Sequence, residues 1–72
     1  MNIDELGKIL RQMYDDAPEG EKETMIHLFG LKYSDMLDRV PIAKVVEKSG
    51  IPASFSTEIR KMIKLSGYVT LK

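Results

Sequence analysis

Apolar side chains recur at helical spacing through most of this chain. Ile3, Leu6, Ile9, Leu10, Met13 and Tyr14 share one stripe of a 3.6-residue period, which predicts a first helix from about Ile3 to Asp15. Asn2 stands at the cap position, and Glu5 three residues on completes the capping-box pattern. Gly7 weakens this helix slightly. Asp15-Asp16-Ala17-Pro18 reads as a turn, with Asp16 and Glu19 as a second box-like pair and Pro18 tolerated in a first helical turn. Glu19, Glu21 and Glu23 then sit where the helix dipole favours negative charge.

The second helix is expected to begin near Ala17 or Pro18 and to reach as far as Arg39. Ile26, Phe29, Gly30, Tyr33, Leu37 and Val40 form one stripe if it is continuous, with Met25 and Met36 on its flanks. Leu28 and Leu31 then fall on the opposite side, and a helix apolar on two sides is buried by more than one neighbour. Two explanations fit: a break near Gly30 re-aims Leu31, or the second face meets another subunit. A chain this short favours the break slightly, and dimerisation is compatible with either.

A third helix is expected from about Pro41 to Ser49, with Ile42, Val45 and Val46 inward and Gly50 in the left-handed position that ends it. Ile51-Pro52-Ala53 is a turn, Ser54 is placed to cap a fourth helix running to about Ser66, and Gly67 ends that helix. Tyr68-Val69-Thr70-Leu71 alternates and is rich in strand formers, which predicts one short strand without an obvious partner in the chain. The fold expected is all-α: one four-helix domain over residues 1–72, with a helix-turn-helix in its C-terminal half and a short terminal strand.

The helix-turn-helix reading rests on residues 42–66. Two short helices must turn sharply about few residues, and Gly50 permits that. Ile51 can tuck between the helices, with Val46 and Ile59 meeting beneath it. The turn is about one residue longer than the commonest form of the motif. On the last helix, Phe55, Ile59, Met62, Ile63 and Ser66 face inward, while Ser54, Thr57, Lys61 and Lys64 face outward with Arg60 on one flank. Ser, Thr and Lys flanked by Arg suit phosphate contact and base reading, and the second helix of such a motif enters the major groove. Ser54, Thr57 and Lys61 would then lie near base edges, with Glu58 also within range, and Lys44, Lys48, Arg60 and Lys64 nearer phosphates. The same lysines also fit an ordinary solvated face. So few cations bind duplex DNA weakly unless a homodimer doubles them.

Charge sharpens this picture. The chain is neutral, but residues 1–40 carry nine acidic and five basic side chains, whereas residues 41–72 carry six basic and two acidic ones. That asymmetry suits a polyanionic or acidic partner for the basic half, and equally suits attraction between the two halves within the fold. A hydrophobic fraction of 43% with 31% charged residues excludes disorder, and no apolar run is long enough to span a bilayer. The first ten residues lack a basic region before an apolar run, so no secretory signal is expected. With no cysteine for disulfide staples, the cytoplasm is the expected compartment.

The run Pro18-Glu19-Gly20-Glu21-Lys22, followed by Met25-Ile26-His27-Leu28-Phe29-Gly30-Leu31-Lys32-Tyr33, resembles small prokaryotic proteins with a helix-turn-helix-like domain. The resemblance extends over nearly the whole chain. It implies the fold class and a bacterial or archaeal origin, and it implies no activity and no binding residues.

Other chemistry finds little support. His27 is the sole histidine and falls beside the apolar stripe, so it reads as a boundary residue with no ligand set of its own. The acidic group from Asp15 to Glu23 lacks the loop of an EF-hand, and helix capping explains it better. No serine has a plausible base, no glycine-rich phosphate loop is present, and no enzyme, metal or cofactor is expected. Two functions remain. The first is a dimeric DNA-binding protein acting in transcription regulation or as a DNA-reading accessory. The second is a protein-interaction module of the same shape, binding a larger protein through Leu28, Leu31, Tyr68, Val69 and Leu71.

Overall fold

In a computed structural model, which describes residues 1–69, the helices are α1 (Ile3–Asp16), α2 (Lys22–Lys32), α3 (Ser34–Leu37), α4 (Ile42–Ser49) and α5 (Phe55–Leu65). The capping box of α1 forms as the sequence suggests. Asn2 Oδ1 accepts from the Glu5 N–H at 2.8 Å, and Glu5 Oε1 accepts from the Asn2 N–H at 3.3 Å. The other end of α1 has no basic residue in its last turn. Lys22 supplies one from outside, donating to the Tyr14 carbonyl at 2.8 Å with its ammonium 4.5 Å from the Tyr14 ring centre.

The second helix, whose continuity through Gly30 the sequence leaves open with a break slightly favoured, is two helices, so the architecture has five helices among the described residues rather than four. Its start is delayed because Gly20 takes φ +83°, outside helical space, while the Glu21 N–H donates to the Pro18 carbonyl at 2.9 Å. The box between Asp16 and Glu19 does not form: Asp16 is the last residue of α1 and accepts from Gln12 at 2.6 Å. The break falls at Tyr33 (φ −109°, ψ 20°), past Gly30.

Gly30 instead sits within α2 and serves packing. A Cβ there would lie 2.7 Å from Met62 Cβ and 3.2 Å from the Ile59 carbonyl oxygen. At Gly7 of α1, a Cβ would lie 2.8 Å from Lys48 Cβ. These glycines serve the two most extensive helix pairings, α2 on α5 and α1 on α4. Each lets two backbones approach as no side chain would permit.

One core joins Leu6 and Leu10 of α1, Ile26 and Phe29 of α2, Leu37 of α3, and Ile42, Val45 and Val46 of α4 with Ile51 and Ile59. Because α1, α3 and α5 all pack on α2, its apolar residues lie on more than one side, and Leu28 and Leu31 are half-buried within the chain.

The turn between α4 and α5 is held more firmly than its glycine alone would hold it. Gly50 is left-handed at φ 77°, and its N–H is shared between the Val46 and Glu47 carbonyls at 3.2 Å each. The Ser49 hydroxyl donates to the Val46 carbonyl at 2.6 Å and accepts from the Ile51 N–H at 3.3 Å. Arg11 adds a long contact from α1 to the Ser49 carbonyl at 3.5 Å. Ser54 makes no capping bond, because its own backbone is already helical (φ −60°, ψ −24°). The chain enters α5 through tight turns, Phe55 N–H to Pro52 and Ser56 N–H to Ala53, each at 3.1 Å.

The expected terminal strand is not found among the described residues. After α5 the chain keeps turning, with the Tyr68 N–H bonded to the Leu65 carbonyl at 2.8 Å, and Val69 has no regular structure. Among the described residues no second strand offers a ladder for those backbone groups, so local turns satisfy them. Thr70 and Leu71 of that prediction lie outside the described residues.

Candidate nucleic-acid interface

α5 turns one face to the core and one to solvent. Ile59 is wholly buried and Ser56 nearly so, while Phe55, Met62, Ile63 and Ser66 are half-buried. Phe55 meets the Tyr14 ring edge-on with centroids 6.2 Å apart, tying the start of α5 to the end of α1. The opposite face exposes Ser54, Thr57, Arg60, Lys61 and Lys64. That alternation follows from the 3.6-residue period and the apolar stripe through Ile59.

The seven residues expected to contact DNA fall into two groups. Thr57, Arg60, Lys61 and Lys64 line one wall of an open groove of 530 Å³. Lys44 and Lys48 line another groove beside the start of α1, together with Asn2, Ile3 and Asp4. Lys48 pairs there with Asp4 at 3.5 Å, both side chains more than half exposed, a contact of little energetic weight. Ser54 is exposed just before α5 and lines neither groove.

The wall facing the α5 cations is acidic. The break at Tyr33 sets α3 against α5 and brings Ser34, Asp35 and Asp38 to the groove. Periodicity could not reveal this, since it depends on where the second helix breaks. Asp35 also lines an adjoining groove with Met1, Met36 and Arg39, so Arg39 is a further exposed cation near this face. Within α5, Lys61 pairs with Glu58 at 3.3 Å, which leaves Arg60 and Lys64 as the groove cations without a carboxylate within ion-pair distance among the described residues.

The residues expected at a dimer or partner interface are spread out. Leu31 and Val69 line one shallow groove with Ser66 and Gly67, and Leu28 lies elsewhere on α2. Tyr68 is 85% exposed, and Leu71 lies outside the described residues. No helix is long and apolar enough to cross a membrane among the described residues.

No curated protein and no solved structure matches the sequence. A family model does: that of a helix-turn-helix-like (HTH-like) domain, over residues 2–72. Val46, Ile51 and Ile59 buried around a left-handed Gly50 are the packing such a motif requires, and the chain belongs to the HTH-like domain family.

Proposed function

We propose that this domain binds double-stranded DNA as a homodimer, with α5 entering the major groove, and that it acts in the cytoplasm in transcription control or as a DNA-reading accessory. The observation that carries the reading is the outward face of α5. The second helix of the motif presents Thr57, Arg60, Lys61 and Lys64 to solvent, with Leu65, 39% exposed, beside them at the end of the helix. Arg60 and Lys64, one turn apart, are placed to meet successive phosphates, and Thr57 and Lys61 lie nearer the base edges. Membership of an HTH-like family supports the shape of this reading, and the cysteine-free composition supports the compartment. The role is one of binding rather than catalysis.

The test is charge reversal. Lys61→Glu with Lys64→Glu leaves the helical circular dichroism unchanged, since both side chains are exposed, and abolishes duplex binding in an anisotropy titration. Binding equal to wild type would overturn the assignment of this surface. A second reading is favoured by Asp35 and Asp38, which would repel phosphates approaching the same groove. On that reading the domain is an interaction module for a larger protein, and it retains its partner after the double substitution while neither form binds DNA.

A further inference from the structure

Glu23 and His27 stand one turn apart on α2, and α5 brings Glu58 to the same spot. His27 Nε2 lies 3.9 Å from Glu23 Oε1 and 3.7 Å from Glu58 Oε1. One donor atom from each of the three residues falls within 4.8 Å of the other two. Two carboxylates therefore converge on one imidazole, from both helices of the pair that packs at Gly30. The other oxygen of Glu58 meets Lys61 at 3.3 Å, which leaves Oε1 directed to the imidazole.

We propose that Glu23, His27 and Glu58 bind a divalent transition-metal ion of the zinc class, which fastens α2 to α5. An imidazole nitrogen with carboxylate oxygens suits such an ion, and the imidazole disfavours magnesium and calcium. Metal–ligand distances of about 2.0–2.2 Å require neighbouring donors roughly 3–3.5 Å apart. The present separations are wider, 3.7 and 3.9 Å from the imidazole nitrogen and up to 4.8 Å within the set, so binding draws the donors in by rotation of the Glu23 side chain, 64% exposed, and a smaller adjustment of Glu58. The dication also offsets the repulsion between two carboxylates held this close. Water completes the coordination, because His27 and Glu58 retain 33% and 26% of their side-chain exposure. Sequence spacing alone could not assemble this set, since Glu58 joins it only through the packing of α5 on α2.

The test uses tag-free protein, zinc chloride, magnesium chloride as the control, and no DNA, so it stands apart from the function proposed above. Zinc at about a hundredfold over its dissociation constant raises Tm by roughly 10 °C or more, and magnesium does not. His27 is the only histidine, so its ring resonances report occupancy directly, and zinc shifts them. His27→Gln and Glu58→Gln keep the wild-type circular dichroism and lose the thermal shift. Unmoved imidazole resonances at millimolar zinc would overturn the proposal, and so would a thermal shift retained in both variants. The resonance measurement is made on the wild-type chain and holds even if a variant fails to fold.

Discussion

Replacing Gly30 with alanine tests the packing that sets α5 in place. Judged by helix propensity alone, the change stabilises by about 0.5–1 kcal/mol, because alanine is the better helix former. The neighbours argue the reverse. The added methyl would lie 2.7 Å from Met62 Cβ, roughly 1 Å inside the optimal carbon–carbon separation, and 3.2 Å from the Ile59 carbonyl oxygen. Neither atom is the free end of a flexible side chain, so relief requires α5 to move away from α2. Overpacking costs about 1–3 kcal/mol, and a contact this short against atoms that cannot swing away falls in the upper half, about 2–3 kcal/mol, leaving a net loss of about 1–2.5 kcal/mol after the gain in propensity. A domain of this size holds only about 4–10 kcal/mol in all, and the loss lowers Tm by roughly 5–15 °C. The assay is thermal unfolding followed by circular dichroism, with urea unfolding as a second measure. Met62→Ala gives little rescue in the same background, because alanine keeps the Cβ that makes the clash. A Gly30→Ala protein as stable as wild type, or more so, would refute the close-approach argument.

Other outcomes follow from the turn and the groove. Ser49→Ala removes the acceptor for the buried Ile51 N–H and lowers stability by about 1–3 kcal/mol in urea unfolding, although the residue touches no proposed ligand. Asp35→Asn with Asp38→Asn removes the acidic wall opposite Arg60 and Lys64. In anisotropy titrations it tightens duplex binding several-fold at low salt and less at high salt, and unchanged binding would mean that DNA does not approach this groove.

Much of the fold was legible in the sequence, and what was hidden depended on contacts distant in the chain. The capping box at Asn2 and Glu5 and the left-handed Gly50 are local devices, and both stand where the pattern put them. The outward face of α5 follows from the stripe through Ile59. A break near Gly30 is the slightly favoured of two explanations for the apolar side at Leu28 and Leu31, yet Gly30 serves packing inside an intact helix and the break falls at Tyr33. That displacement turned Asp35 and Asp38 toward α5, which no periodic pattern could show. The strand expected from Tyr68 rested on residue preference alone, and preference without a pairing partner did not produce one among the described residues. Of the candidate site, the exposed residues of α5 were readable one by one. Their separation from Lys44 and Lys48, and the meeting of Glu58 with His27, required the packed helices.

The most direct test of the central claim is fluorescence anisotropy of a labelled mixed-sequence duplex, titrated with the wild-type chain at a series of salt concentrations. Phosphate contacts through Arg60 and Lys64 predict an affinity that falls with salt at a log–log slope of about −2 for one protomer, or about −4 for a dimer presenting both sets. No binding at low salt and high protein concentration would contradict the account, as would binding that salt leaves unchanged.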